Sequence, residues 1–132
     1  MCLNYTYAAN EQAKMEAKLP DIIPVWRFIT PEGKSWFSKR TAPVLTDRRV
    51  HEADYNVNSP VPDRTCPGFH SYFTKTAAEI GLWHVAGARF HCGQGIVKKF
   101  WIRKKWINKI GHCPLSGSTA VTSFKITTRK PR

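Results

Sequence analysis

The sequence has 132 residues, 42% of them hydrophobic and 23% charged, and a formal net charge of +12. This is a globular composition rather than a disordered one, and the length suits one domain with one modest core. No apolar run approaches the roughly 18 residues of a membrane span, and no basic-then-apolar leader opens the sequence, so a soluble cytoplasmic protein with no membrane partner is expected.

Residues 9–18 (ANEQAKMEAK) are rich in helix formers, with Asn10 as the expected N-cap and Pro20 as the stop. Residues 22–30 (IIPVWRFIT) are β-branched and aromatic and read as a strand, with Pro24 demoting its start to an edge. Pro31-Glu32-Gly33 is turn chemistry, and residues 35–39 read as the returning strand of a hairpin. A long irregular loop is expected over about 41–67, where Pro43, Pro60, Pro62 and Pro67 interrupt any period.

Order resumes at Gly68. The alternation of Phe69, Ser71 and Phe73 against His70 and Tyr72 predicts a strand over 68–74. Thr76 with Glu79 three residues on predicts a capping box. The helix it opens is expected to reach about Phe90, with Ile80, Trp83, His84 and Gly87 on one stripe and Gly93 and Gly95 at its end.

Residues 96–103 (IVKKFWIR) predict a strand with Ile96, Phe100 and Ile102 on one face and Lys99, Trp101 and Arg103 on the other. Ile102, Trp106 and Ile110 are also spaced as on a helix. The reading adopted is strand to about 103 and a helical turn near 104–110, capped by Gly111. PLSGS at 114–118 is a turn, residues 120–128 a last strand alternating Thr122, Phe124 and Ile126, and RKPR a basic tail. The whole predicts a single small α+β domain over 1–132: a twisted, mainly antiparallel sheet with two helices.

The charge is one-sided. All nine Asp and Glu and ten of the 21 Lys and Arg lie in residues 1–79; the other eleven cations lie in residues 80–132, with no acidic side chain after Glu79. Such a field attracts polyanions. It is densest in KKFWIRKKWINK at 98–109, where six cations interleave with Phe100, Trp101 and Trp106. Cations neutralise phosphates and release counterions, and an exposed Trp stacks on unpaired bases. Lys98, Lys99, Trp101, Arg103, Lys104, Lys105 and Lys109 are therefore the expected nucleic-acid-binding residues, while Trp106 is expected in the core.

Other chemistry is thinner. Cys66-x3-His70, His91-Cys92 and His112-Cys113 have the side chains of a zinc site, but the spacings match no standard module and adjacent His-Cys pairs do not readily ligate one ion, so no metal is expected. Cys2 is expected to be an ordinary buried thiol rather than a nucleophile. No GxSxG, HExxH, phosphate-loop or dinucleotide motif occurs, so no catalytic residue and no cofactor is expected.

The opening Met1-Cys2-Leu3-x-Tyr5, the strand with Val25-Trp26-Arg27, and Gly68-Phe69-His70 with Thr74 and Ala77 resemble a group of small, uncharacterised bacteriophage proteins. That resemblance implies an early or accessory phage function in the cytoplasm of the host. GFHSYFTKTAAE at 68–79 is also similar to a strand and helix of the mono-ADP-ribosyltransferases. That family implies a catalytic glutamate late in the chain, which this sequence lacks, and leaves Arg27, His70 and Tyr72 to line a relic pocket.

The expected function is binding of nucleic acid or of a nucleic-acid-containing host complex through the basic second half. In a phage this fits host takeover or inhibition of a defence such as a CRISPR complex, by analogy. One alternative is an inhibitor whose basic face meets an acidic host protein. The other is a transferase with a pocket near His70 and Tyr72 and an acid such as Glu52 or Asp54.

Overall fold

The structure, a computed structural model, describes residues 5–29, 49–52, 68–84, 95–114 and 116–132. The expected hairpin strand at 35–39, most of the 41–67 loop, the end of the second helix near Phe90, and Cys2, Cys66, His91 and Cys92 lie outside them.

In chain order the elements are β1 (Tyr5–Thr6), α1 (Ala9–Ala17), β2 (Ile22–Ile29), β3 (His51–Glu52), β4 (Phe69–Tyr72), α2 (Lys75–Leu82), β5 (Ile96–Arg103), a 3-10 turn at Lys104–Trp106, β6 (Ile107–Cys113), β7 (Ser118–Ser123) and β8 (Lys125–Ile126). Six strands form one antiparallel sheet in the order β1-β6-β7-β4-β2-β5, and β3 pairs with β8 beside it. The expected α+β class with two helices and a mainly antiparallel sheet is what the described residues form.

The sheet carries a core on each face, although β5 buries only the Phe100 and Ile102 face. On one face Ile23, Val25, Ile29, Phe69, Phe100, Ile102, Ile107, Ile110, Val121 and Ile126 form the larger core, against which Met15 and Leu19 from α1 and its C-terminal side pack. On the other, Phe28, Tyr72, Ala77, Ala78, Cys113 and Ala120 form a smaller core under α2. The helix comes close there because residue 81 is glycine: a Cβ on it would lie 2.7 Å from the Tyr72 hydroxyl oxygen and 2.9 Å from a Phe28 ring carbon.

Several expectations are corrected. Asn10 lies inside α1; Ala8 precedes the helix and no side chain caps it. The cap of α2 is Thr74, whose hydroxyl accepts from the Ala77 amide at 3.2 Å, so the Thr76–Glu79 box does not form. The buried stripe of α2 is Ala77, Ala78 and Gly81, while Ile80 and Trp83 are exposed. Small residues face the sheet because α2 packs so close to Tyr72. His51–Glu52 is a strand rather than irregular chain, since β8 offers it a partner.

Most of the helical turn expected at 104–110 is strand. Only Lys104–Trp106 is helical, and Ile107–Cys113 pairs with β7 through a register shift between Ile107 and Lys109. The i, i+4 spacing arises because that shift and the short turn put Ile102 and Ile110 into one core from two different strands. The last strand is likewise two. Phe124 is exposed between β7 and β8, and its amide donates to the Trp106 carbonyl at 2.9 Å. Pro24 sits where β4 has already ended: β2 pairs with β4 at Trp26, and Pro24 faces only Trp101 of β5, so a missing N–H is tolerated.

A side chain completes the sheet edge beyond β1. The Gln12 amide nitrogen donates to the Asn108 carbonyl, and its oxygen accepts from the Ile110 amide, each at 3.1 Å. Gln12 thus does for β6 what one more residue of β1 would do.

Candidate nucleic-acid interface

The register of β2 on β5 builds the site. Phe28 pairs with Val97, Trp26 with Lys99, Pro24 with Trp101 and Ile22 with Arg103, and alternation sends all of these to the face that carries α2. At the Phe28–Val97 end that face packs against the helix. Further along the ladder it turns polar and aromatic. The Lys99 ammonium lies 4.6 Å from the centre of the Trp101 ring and 5.6 Å from that of Trp26, and the Lys130 ammonium lies 5.3 Å from Trp101. These are cation–π distances.

The chain after β8 is tied to the outer edge of β5. Trp101 and Thr127 exchange backbone hydrogen bonds of 2.7 and 3.1 Å. The Thr127 hydroxyl accepts from the Arg129 amide at 3.2 Å, and the Arg103 guanidinium donates to the Arg132 backbone oxygen at 2.9 Å. Between this segment and the 3-10 turn lies an open groove of about 460 Å³ lined by Val50, Arg103, Trp106, Arg129, Lys130 and Arg132, among others. Four cations surround it, and among the described residues no acidic side chain does.

The seven expected residues divide. Lys99, Trp101 and Arg103 share the open face, with Trp101 half-buried. Lys98 points to the opposite face, beside Arg27. Lys104 and Lys105 stand on the turn after β5. The Lys104 backbone amide donates to the Asp21 carbonyl at 2.8 Å, and its ammonium lies 3.9 Å from the Asp21 carboxylate, which is 96% exposed and so contributes little. Lys109 is exposed on β6, well away from β5 in the sheet order. Sequence reasoning missed Trp26, Arg129, Lys130 and Arg132; Trp106, expected in the core, packs half-buried against the larger core and also lines the groove. The basic tail was visible as composition; no sequence signal placed it against β5.

The other candidate chemistry reads differently. Arg27 is 5% exposed. One of its terminal N–H groups donates to the His70 carbonyl at 2.7 Å, its Cζ lies 5.3 Å from the Phe69 ring centre, and its Nε–H meets no acceptor among the described residues. Burial lowers its pKa to about 10, partly opposed by Tyr72. Tyr72 is buried on the other face, its hydroxyl 3.1 Å from the Cys113 sulfur; burial, and then that contact, raise its pKa. Tyr72 pairs with Trp26, so alternation puts Arg27 and Tyr72 on opposite faces of the sheet. Glu52 is paired at 3.2 Å with Lys125. Among the described residues no three His, Cys, Asp or Glu side chains are grouped to hold a metal, and no helix is long and apolar enough to cross a membrane.

Comparison with models of known families, with curated proteins and with solved structures found no match.

Proposed function

We propose that this protein binds nucleic acid through the open face of β5 and the basic segment that follows β8, and that in the phage setting its sequence resembles the target is a nucleic-acid-containing host complex, such as a CRISPR effector. The observation that carries the reading is the gathering of Lys99, Arg103, Arg129, Lys130 and Arg132 around Trp101 and Trp106, in a half of the chain that has no acidic side chain. Cations so placed meet phosphates at little cost in desolvation, because most of them are exposed, and release counterions on binding.

The test is fluorescence anisotropy with a labelled random-sequence oligonucleotide over about 50–200 mM salt. The triple reversal Lys99→Glu, Arg103→Glu, Lys105→Glu is expected to weaken binding and to flatten the log–log salt slope by about 0.9 for each phosphate that is no longer neutralised. A folded triple variant with unchanged affinity and slope would sink the proposal and leave an acidic protein surface as the expected partner of this face.

A further inference from the structure

We infer that the groove beside Trp106 takes one unpaired nucleotide, its base on the Trp106 ring and its phosphates among Arg103, Arg129, Lys130 and Arg132, so that the protein prefers single strands to duplex. This rests on the nucleic-acid reading above and specifies its ligand.

Size comes first. The groove, about 460 Å³, is of small-ligand scale. A duplex is a convex rod with its bases stacked inside, whereas an unpaired base is free to enter a concavity and stack on an aromatic ring. Charge comes second. Three guanidinium groups and one ammonium around one small concavity, with no acidic side chain among its described lining, match the phosphates flanking a single nucleotide better than the spread charge of a duplex flank.

The platform comes third, and here the structure redirects the sequence reading. Trp101 was the expected stacking residue, but two ammonium groups lie over its ring, at 4.6 and 5.3 Å, and a base must displace one of them. Trp106 carries a single, more distant cation, with the Arg103 Cζ at 5.9 Å from the ring centre, at the outer edge of the cation–π range of about 6 Å. Trp106 is also held in place. It packs half-buried on the larger core, and its carbonyl accepts from the Phe124 amide at 2.9 Å. The walls are ordered by the Thr127–Trp101 backbone pair and the Arg103–Arg132 bond. What is left to order when a ligand enters is chiefly the exposed Arg129, Lys130 and Arg132 side chains.

The experiment compares a ten-nucleotide oligothymidylate, the same length of abasic strand, and a ten-base-pair duplex, by anisotropy at one fixed salt concentration. The expected result is tightest binding to the oligothymidylate, with the abasic strand weaker by about 5- to 150-fold, the range set by one stacked base. Trp106→Leu is expected to bring the oligothymidylate down to the abasic level, and Trp106→Phe to keep most of the preference. Equal binding of abasic and normal strands, or duplex bound as tightly as single strand, overturns the inference while the nucleic-acid reading stands. No binding to any of the three overturns both. The abasic comparison on the unaltered protein decides the matter even if Trp106→Leu does not fold.

Discussion

The two faces of the sheet are built from the same strands and end up unlike. On one, Val25, Ile29, Phe100, Ile102, Ile110, Val121 and Ile126 are fully buried in a continuous core. On the other, α2 covers Phe28, Tyr72 and Ala120, and the Trp26–Lys99 and Pro24–Trp101 pairs carry the open, cationic part of the face. Alternation along β5 makes both faces available; where α2 lands decides which part of the second face is core and which is site. Gly81 and the two alanines draw the helix down onto Tyr72 and Phe28, and the cation–aromatic cluster begins where that contact stops.

The sharpest way to break the contrast is on β5 itself. Phe100→Ala removes a ring with no exposure and is expected to cost about 3–5 kcal/mol in urea unfolding, whereas Lys99→Ala, one residue earlier and exposed, should stay within about 0.5 kcal/mol. Equal costs would mean that the strand's two faces are not differentiated as described. Next is Gly81→Ala. Its methyl has no room beneath α2, so a destabilisation of about 1–3 kcal/mol is expected, and a neutral result would show that the helix rides higher than its glycine implies.

The smallest effect is Tyr72→Phe, which removes the hydroxyl's contact with Cys113 and is expected to cost about 0.5–1.5 kcal/mol at pH 7. It also has a signature in pH. The folded protein holds the Tyr72 proton above the usual 10.0, so the stability this provides is full below about pH 10 and is lost as pH rises beyond it. Arg27 works the other way, since its folded pKa of about 10 lies below the usual 12.5 and favours folding as pH climbs between the two. Arg27 is present in both proteins, so the difference between wild type and Tyr72→Phe isolates the tyrosine. That difference should shrink above pH 10, and a constant difference would contradict the buried hydroxyl.

Much of this was legible in the sequence. The bounds of β5 follow from its alternation, and β2 and α1 from their composition, because each of these segments has one dominant period. The cap of α2 was misplaced by two residues because Thr74 and Thr76 are both good caps, and only the helix's seating on the sheet selects Thr74. The 104–110 segment misled for a physical reason: a bulged strand after a tight turn can bring i and i+8 residues into one core. The site was half legible. Local spacing placed Lys99, Trp101 and Arg103 together, but Val50 and residues 127–132 reach the groove through the β3–β8 pair and the Thr127–Trp101 bridge, which are long-range pairings with no local pattern.

The Gln12 bridge sets a schedule for the molecule. Its two hydrogen bonds span 96 and 98 residues, and β1 pairs with β6 over a similar separation. During synthesis at about 5–20 residues per second, α1 emerges roughly 5–20 s before the strand it will complete exists. A helix of nine residues with no buried side chain has little reason to hold its shape alone in that interval. The N-terminal edge therefore cannot close until β6 has been made, and a fold dominated by such distant pairings is expected to form slowly, in milliseconds to seconds rather than microseconds.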